Sequence, residues 1–249
     1  MKLNYLLIAL QFLTILPFKI TSEIREKDFG RALIYFPIVG ALIGLLLALA
    51  LLALDFLPHL AKIALVLVGS IIITGAIHLD GFADTCDGFC SGKSKEKILN
   101  IMHDPRIGSM GVIAVVSLLL LKFTLMASIS KDILWKSLIM MAVFSRWIQV
   151  LACYLSRYAK ESGKARLFIE YVSLKEVIIG GLITVILFSA LESWKALFLF
   201  IPVLAAAFLL INYIKRRLGG MTGDTIGAVS EIAEVCVLLF SLIIFGNAT

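Results

Sequence analysis

Apolar residues fall along this chain in long unbroken runs rather than in narrow stripes. Leu33–Leu54 carries no charge over about 22 positions, which as a helix rises roughly 33 Å, enough for a hydrocarbon core of about 30 Å. Comparable runs occupy Ile63–Ile77, Val112–Ser130, Ser137–Leu155, Val177–Leu191, Ala196–Ile214 and Ile226–Phe245. None alternates apolar with polar residues as a spanning strand must, and backbone groups in lipid need partners within their own segment. The pattern predicts an all-α polytopic transmembrane bundle of about eight helices. Seven is the alternative, because Leu3–Leu16 is marginal in length and either tilts or lies flat at the interface. No Pro-, Gly- or Ser-rich linker interrupts the succession, so residues 1–249 are read as one integral membrane domain.

Composition agrees: 61% hydrophobic residues, 16% charged residues and a mean hydropathy of +1.03 exclude a water-soluble domain of this length. Most of the 23 Lys and Arg residues lie in alternate loops, Lys19–Arg31, Ser91–Arg106, Arg157–Lys175 and Lys215–Arg217. Short cytoplasmic loops retain positive charge, so these four share the cytoplasmic side of a cell (plasma or inner) membrane. This topology accounts for most of the net charge of +6, with anionic substrates or lipid headgroups as the sharper reading; nothing points to nucleic acid. No small-residue cleavage site follows Leu16-Pro17, so the first helix is expected to be retained. The four cysteines form no CxxC pair and suggest neither a disulfide nor a zinc site. The Gly40-x-x-x-Gly44 spacing is read as helix packing rather than dimerisation, although a homo-oligomer is compatible with the chain.

Three polar motifs lie on the basic side. In His78-Leu79-Asp80-Gly81-Phe82-Ala83-Asp84-Thr85-Cys86-Asp87-Gly88 the acids are spaced i, i+4 and i+7, one stripe of a helix. Three bare anions repel one another, and a divalent cation reverses that. Magnesium, a hard ion commonly shared between carboxylates and substrate phosphates, suits such a set, with His78 a weaker candidate ligand. In His103-Asp104-Pro105-Arg106-Ile107-Gly108, Asp104 reads as an N-cap before an N1 proline and is also counted as a candidate ligand. The guanidinium of Arg106 suits a phosphate or diphosphate. The third motif, Gly219-Gly220-Met221-Thr222-Gly223-Asp224, is a glycine-rich turn into the last helix that offers backbone N–H groups to a phosphate but lacks a Walker lysine. Beyond it, Glu231 and Glu234 sit deep in a span, either functional or paired with Lys122 or Arg146.

These motifs resemble the signature of the cobalamin synthase family, the adenosylcobinamide-GDP ribazoletransferases, in order, spacing and membrane setting. The likeness runs nearly the whole chain, from Leu10-Gln11-Phe12-Leu13-Thr14-Ile15-Leu16-Pro17 through Arg146 and Arg157-Tyr158-Ala159-Lys160 to Ala228. It implies magnesium-dependent transfer of the cobinamide phosphoryl group from adenosylcobinamide-GDP to α-ribazole or its 5′-phosphate. The products are adenosylcobalamin or its 5′-phosphate, and GMP. A fainter likeness to CDP-alcohol phosphotransferases fails where Asp84 replaces the Arg expected after Ala83 and where a later Gly-x-x-x-Asp-x-x-x-Asp is missing.

On this reading Asp80, Asp84, Asp87, Asp104 and Asp224 are the candidate metal ligands. Arg106, Gly219, Gly220, Thr222 and Gly223 bind substrate. Asp87 is the first choice for the base that takes the proton of the attacking ribose hydroxyl; Asp224 is a further ligand or the substitute base, and Asp84 is counted with the catalytic set. The rival reading is a membrane cation transporter in which these acids and the two deep glutamates form an ion path.

Overall fold

The computed structural model describes residues 2–20, 23–160 and 162–246. In chain order the helices are α1 (Lys2–Leu13), α2 (Glu26–Ala32), α3 (Phe36–Ala53), α4 (His59–Thr74), α5 (Ile77–Cys90), α6 (Lys95–Ile101), α7 (Ser109–Ser128), α8 (Lys131–Tyr154), α9 (Arg166–Tyr171), α10 (Leu174–Glu192), α11 (Phe200–Leu218) and α12 (Gly223–Phe245). Among the described residues there is no named strand, only a bridge between Tyr158 and Met221. Short 3-10 turns lead into α3 and α11.

Among these residues six helical stretches are long and apolar enough to cross a membrane: Glu26–Ala53, α7, α8, α10, Trp194–Leu218 and α12. Counting α4 and α5 together gives a seventh, broken by a bend of 89°. The expected eighth is α1, whose 12 residues rise roughly 18 Å and fall short of a bilayer. It lies against the others: Tyr5 accepts a hydrogen bond from Arg31 at 3.1 Å, and Phe12 packs on Phe36 and Phe168. The outer faces of the long helices carry exposed Leu49, Leu65, Ile113, Leu120, Ile186 and Leu209. So continuous an apolar exterior belongs in lipid, and the protein is a multi-pass membrane protein.

The core forms around α8, in which Leu138, Met140, Val143, Phe144 and Ile148 are all buried. Gly40 and Gly44 let α3 pack directly on the α8 backbone at Ala142 and Ile139, the packing role their spacing suggests. The charged loops segregate to the two ends. At one end Arg157 donates to the Gly219 carbonyl at 2.7 Å, Arg217 to the Lys93 carbonyl at 3.4 Å, and Tyr171 to Glu26 at 2.7 Å, which ties the four basic loops together. At the other end Asp55 pairs with Lys62 at 2.9 Å and with Lys131 at 2.7 Å.

The deep charges are paired inside the bundle. Lys122 Nζ sits 2.5 Å from Glu231 and 2.6 Å from Glu234, and Arg146 also pairs with Glu234. Two cations thus neutralise two carboxylates where an uncompensated charge would be very costly.

Candidate active site

The site is assembled at the basic end where α5, α12 and the α6–α7 connection meet. The α4–α5 break makes it possible: Gly75 and Ala76 adopt φ of +60° and +57°, so α5 leaves at a steep angle and carries its acids away from the path of α4. Gly81 then lets α5 cross α12 closely, since a Cβ there would lie 2.7 Å from the Asp224 Cα. A larger residue would push Asp80 and Asp84 away from Asp224.

α12 starts at Thr222, whose hydroxyl accepts from the Thr225 N–H at 3.2 Å while Thr225 Oγ1 accepts from the Thr222 N–H at 2.8 Å. The turn before it opens with Gly219 at φ +72°, closing α11. Its backbone is partly committed: the Met221 N–H donates to the Arg157 carbonyl and the Ala159 N–H to the Met221 carbonyl, each at 2.9 Å. Met221 and Thr222 therefore use their N–H groups internally. The turn's contribution to the cleft comes from Gly223 and Asp224.

Two chambers adjoin at these residues. A polar cleft of about 400 Å³ is lined by Asp80, Asp84, Asp104, Asp224, His103 and Lys160. A second chamber of about 320 Å³ shares Asp80, His103, Lys160 and Asp224 but is walled by Phe12, Phe36 and Phe168. At the junction Lys160 Nζ donates to Asp224 Oδ2 at 3.0 Å, and the Thr222 hydroxyl donates to the same oxygen at 3.2 Å. Lys160 has the appearance of one more loop cation in the sequence; only its place in the resembling stretch Arg157–Lys160 set it apart.

Asp87 is differently employed. Its two oxygens each accept a backbone N–H, from Gly108 and from Gly111, both at 2.7 Å. A Cβ on either glycine would collide with the carboxylate. Asp87 thus caps the N-terminus of α7 from another helix, satisfying N–H groups that a helix start leaves without partners. The expected N-cap at Asp104 is corrected accordingly, for α7 begins at Ser109 with Gly108 in the cap position. Asp104 instead holds Arg106 in a two-pronged pair at 2.9 and 2.7 Å. Hydrogen bonds from the Arg106 side chain and backbone lower its carboxyl to a pKa of about 2. Arg106 itself is exposed at the rim and is not among the residues lining either chamber.

Among the described residues no three His, Cys, Asp or Glu side chains converge as a ready metal cage. Asp80, Asp84 and Asp224 nevertheless line one cleft with hard oxygen donors, the set that suits magnesium held by one or two carboxylates and completed by substrate phosphates. The residues fit that mode of binding and not a closed protein site.

Fold and site together define a polytopic helical membrane protein with a carboxylate-lined cleft at its basic end. The family model described as cobalamin-5-phosphate synthase matches residues 5–242. Relatives named adenosylcobinamide-GDP ribazoletransferase include one from Clostridium acetobutylicum, 36% identical over 94% of each chain. Another, from Alkaliphilus metalliredigens, is 38% identical over 98% of this chain and 97% of its own. No solved structure matches. The chain belongs to the cobalamin-5-phosphate synthase family, and it is a transferase of cobalamin synthesis.

Proposed function

We propose that this chain transfers the cobinamide phosphoryl group of adenosylcobinamide-GDP to a ribose hydroxyl of α-ribazole or its 5′-phosphate, releasing GMP, on the cytoplasmic face of the cell membrane. The observation that carries the reading is the meeting of the acidic cleft with the aromatic-walled chamber at Asp80, Asp224 and Lys160. One chamber suits a diphosphate, the other an apolar acceptor, and phosphoryl transfer needs the two reactants side by side. The cytoplasmic assignment rests on the four basic loops gathered at this end.

Asp80 and Asp84 would hold a magnesium ion, with Asp104 at the rim. When bound, that ion neutralises charge on the diphosphate. Lys160 and Arg106 add positive charge, and the start of α12 reaches the cleft at Asp224, where the helix dipole favours anions. Asp224 borders both chambers and is the base: it takes the hydroxyl proton as the ribose oxygen bonds to phosphorus and the phosphoanhydride bond to GMP breaks. Asp87, with both oxygens on backbone N–H groups, keeps α5 and α7 in register beneath the cleft.

The test separates Asp224 from Asp80. Asp224→Asn should retain adenosylcobinamide-GDP binding and lose turnover by about 100-fold or more, the usual range for general base removal. Asp80→Ala should raise the magnesium concentration needed for half-maximal rate. Turnover at the wild-type rate in Asp224→Asn contradicts the assignment of the base.

A further inference from the structure

The aromatic-walled chamber has a polar floor that the proposed chemistry leaves idle. His78 on α5 and Gln149 on α8 are 5% and 1% exposed and both line it. The Gln149 amide donates to His78 Nε2 at 2.9 Å and to the Ser230 hydroxyl at 2.9 Å, so both of its hydrogens are engaged. Because Nε2 accepts, the ring proton resides on Nδ1. Among the described residues that Nδ1–H is buried without a partner, and so is Gln149 Oε1. Buried polar groups rarely stay unpaired, and two on adjoining residues of one cavity mark a place for a ligand that brings an acceptor and a donor.

The chamber's size and chemistry narrow the choice. At about 320 Å³ it is far too small for a corrin macrocycle. A guanine carries several donors and acceptors along its edge, more than the single unpaired donor and single unpaired acceptor that His78 and Gln149 offer beside Phe12, Phe36 and Phe168. A benzimidazole nucleoside is apolar except for one ring nitrogen that accepts and ribose hydroxyls that donate. We propose that this chamber is the base pocket of the acceptor: His78 Nδ1–H donates to the free ring nitrogen of the α-ribazole base, Gln149 Oε1 accepts from a ribose hydroxyl, and the phenylalanines hold the ring. This deepens the transferase reading and rests on it. It makes His78 and Gln149 the residues that select the lower-ligand base, whereas Asp80, Asp84 and Asp224 perform the transfer.

The experiment uses the full chain in nanodiscs and two probes, α-ribazole and its indole counterpart, in which CH replaces the free ring nitrogen. Without donor substrate, the indole nucleoside should bind wild type about 10- to 100-fold more weakly, since it leaves Nδ1–H unpaired. His78→Phe should weaken α-ribazole to that level, leave the indole nucleoside unchanged, and raise the KM for α-ribazole but not for adenosylcobinamide-GDP. Equal binding of the two nucleosides to wild type overturns the proposal, and that comparison decides alone if His78→Phe does not fold. A variant that raises the KM for the donor instead also overturns it. Selective α-ribazole binding with no GMP release in the presence of donor upholds the base pocket and contradicts the transferase reading.

Discussion

Asp87→Asn separates an anchoring acid from a reacting one. The wild-type carboxylate receives two backbone N–H groups at 2.7 Å, from Gly108 and Gly111. Asparagine keeps one acceptor oxygen and turns an NH2 group toward the other N–H. Hydrogen bonds to a charged partner contribute about 1.5–3 kcal/mol each, so Asn should cost about that much and Ala up to about twice it. The amides of Gly108 and Gly111 should then exchange with solvent faster, at tenfold for each 1.4 kcal/mol of local opening. The assay is hydrogen exchange by mass spectrometry on the start of α7, paired with detergent-unfolding midpoints and turnover. Accelerated exchange with reduced but measurable turnover fits the anchor. Unchanged exchange and unfolding with abolished turnover refutes it and returns Asp87 to the role of base.

Further expectations follow from the same geometry. Lys122→Met removes the cation that pairs with both Glu231 and Glu234 and should destabilise by about 3–5 kcal/mol, as breaking buried pairs does; adding Glu231→Gln should recover part of that loss in unfolding midpoints. Gly81→Ala must separate α5 from α12 at Asp224, and a displacement near 1 Å should lower kcat by about 100-fold while the protein stays folded. At the opposite end, hydrogen bonds from Lys131 and then Lys62 lower the Asp55 carboxyl to a pKa of about 2 against an ordinary 3.8. Its stabilising effect is present above pH 3.8 and lost as pH falls through about 2, so wild type and Asp55→Asn should differ in unfolding temperature at neutral pH and converge only in strong acid.

Much of this was legible in the sequence because lipid imposes a coarse rule. The run Leu33–Leu54 anticipates α3, and the alternation of basic loops anticipates which loops meet at one end. Partners for Glu231 and Glu234 were legible too, since Lys122 and Arg146 are the cations set within predicted spans. What escaped was non-local. Nothing in Gly75-Ala76 announces an 89° bend, because most alanines are not in left-handed backbone. The stripe Asp80, Asp84, Asp87 is real on the helix, yet its last member turns to a helix start 21 residues onward, which spacing alone does not reveal. Asp-Pro reads locally as a cap, but an acid from α5 takes that task and leaves Asp104 to Arg106. Lys160 joins Asp224 across 64 residues.

Transfer is tested most directly with the purified protein in liposomes given adenosylcobinamide-GDP, α-ribazole 5′-phosphate and magnesium, following GMP and the corrinoid by mass spectrometry. GMP and adenosylcobalamin 5′-phosphate should form in equal amounts, dependent on magnesium and lost in Asp224→Asn. Folded protein that releases no GMP, or releases it without forming the corrinoid product, would contradict the transferase reading.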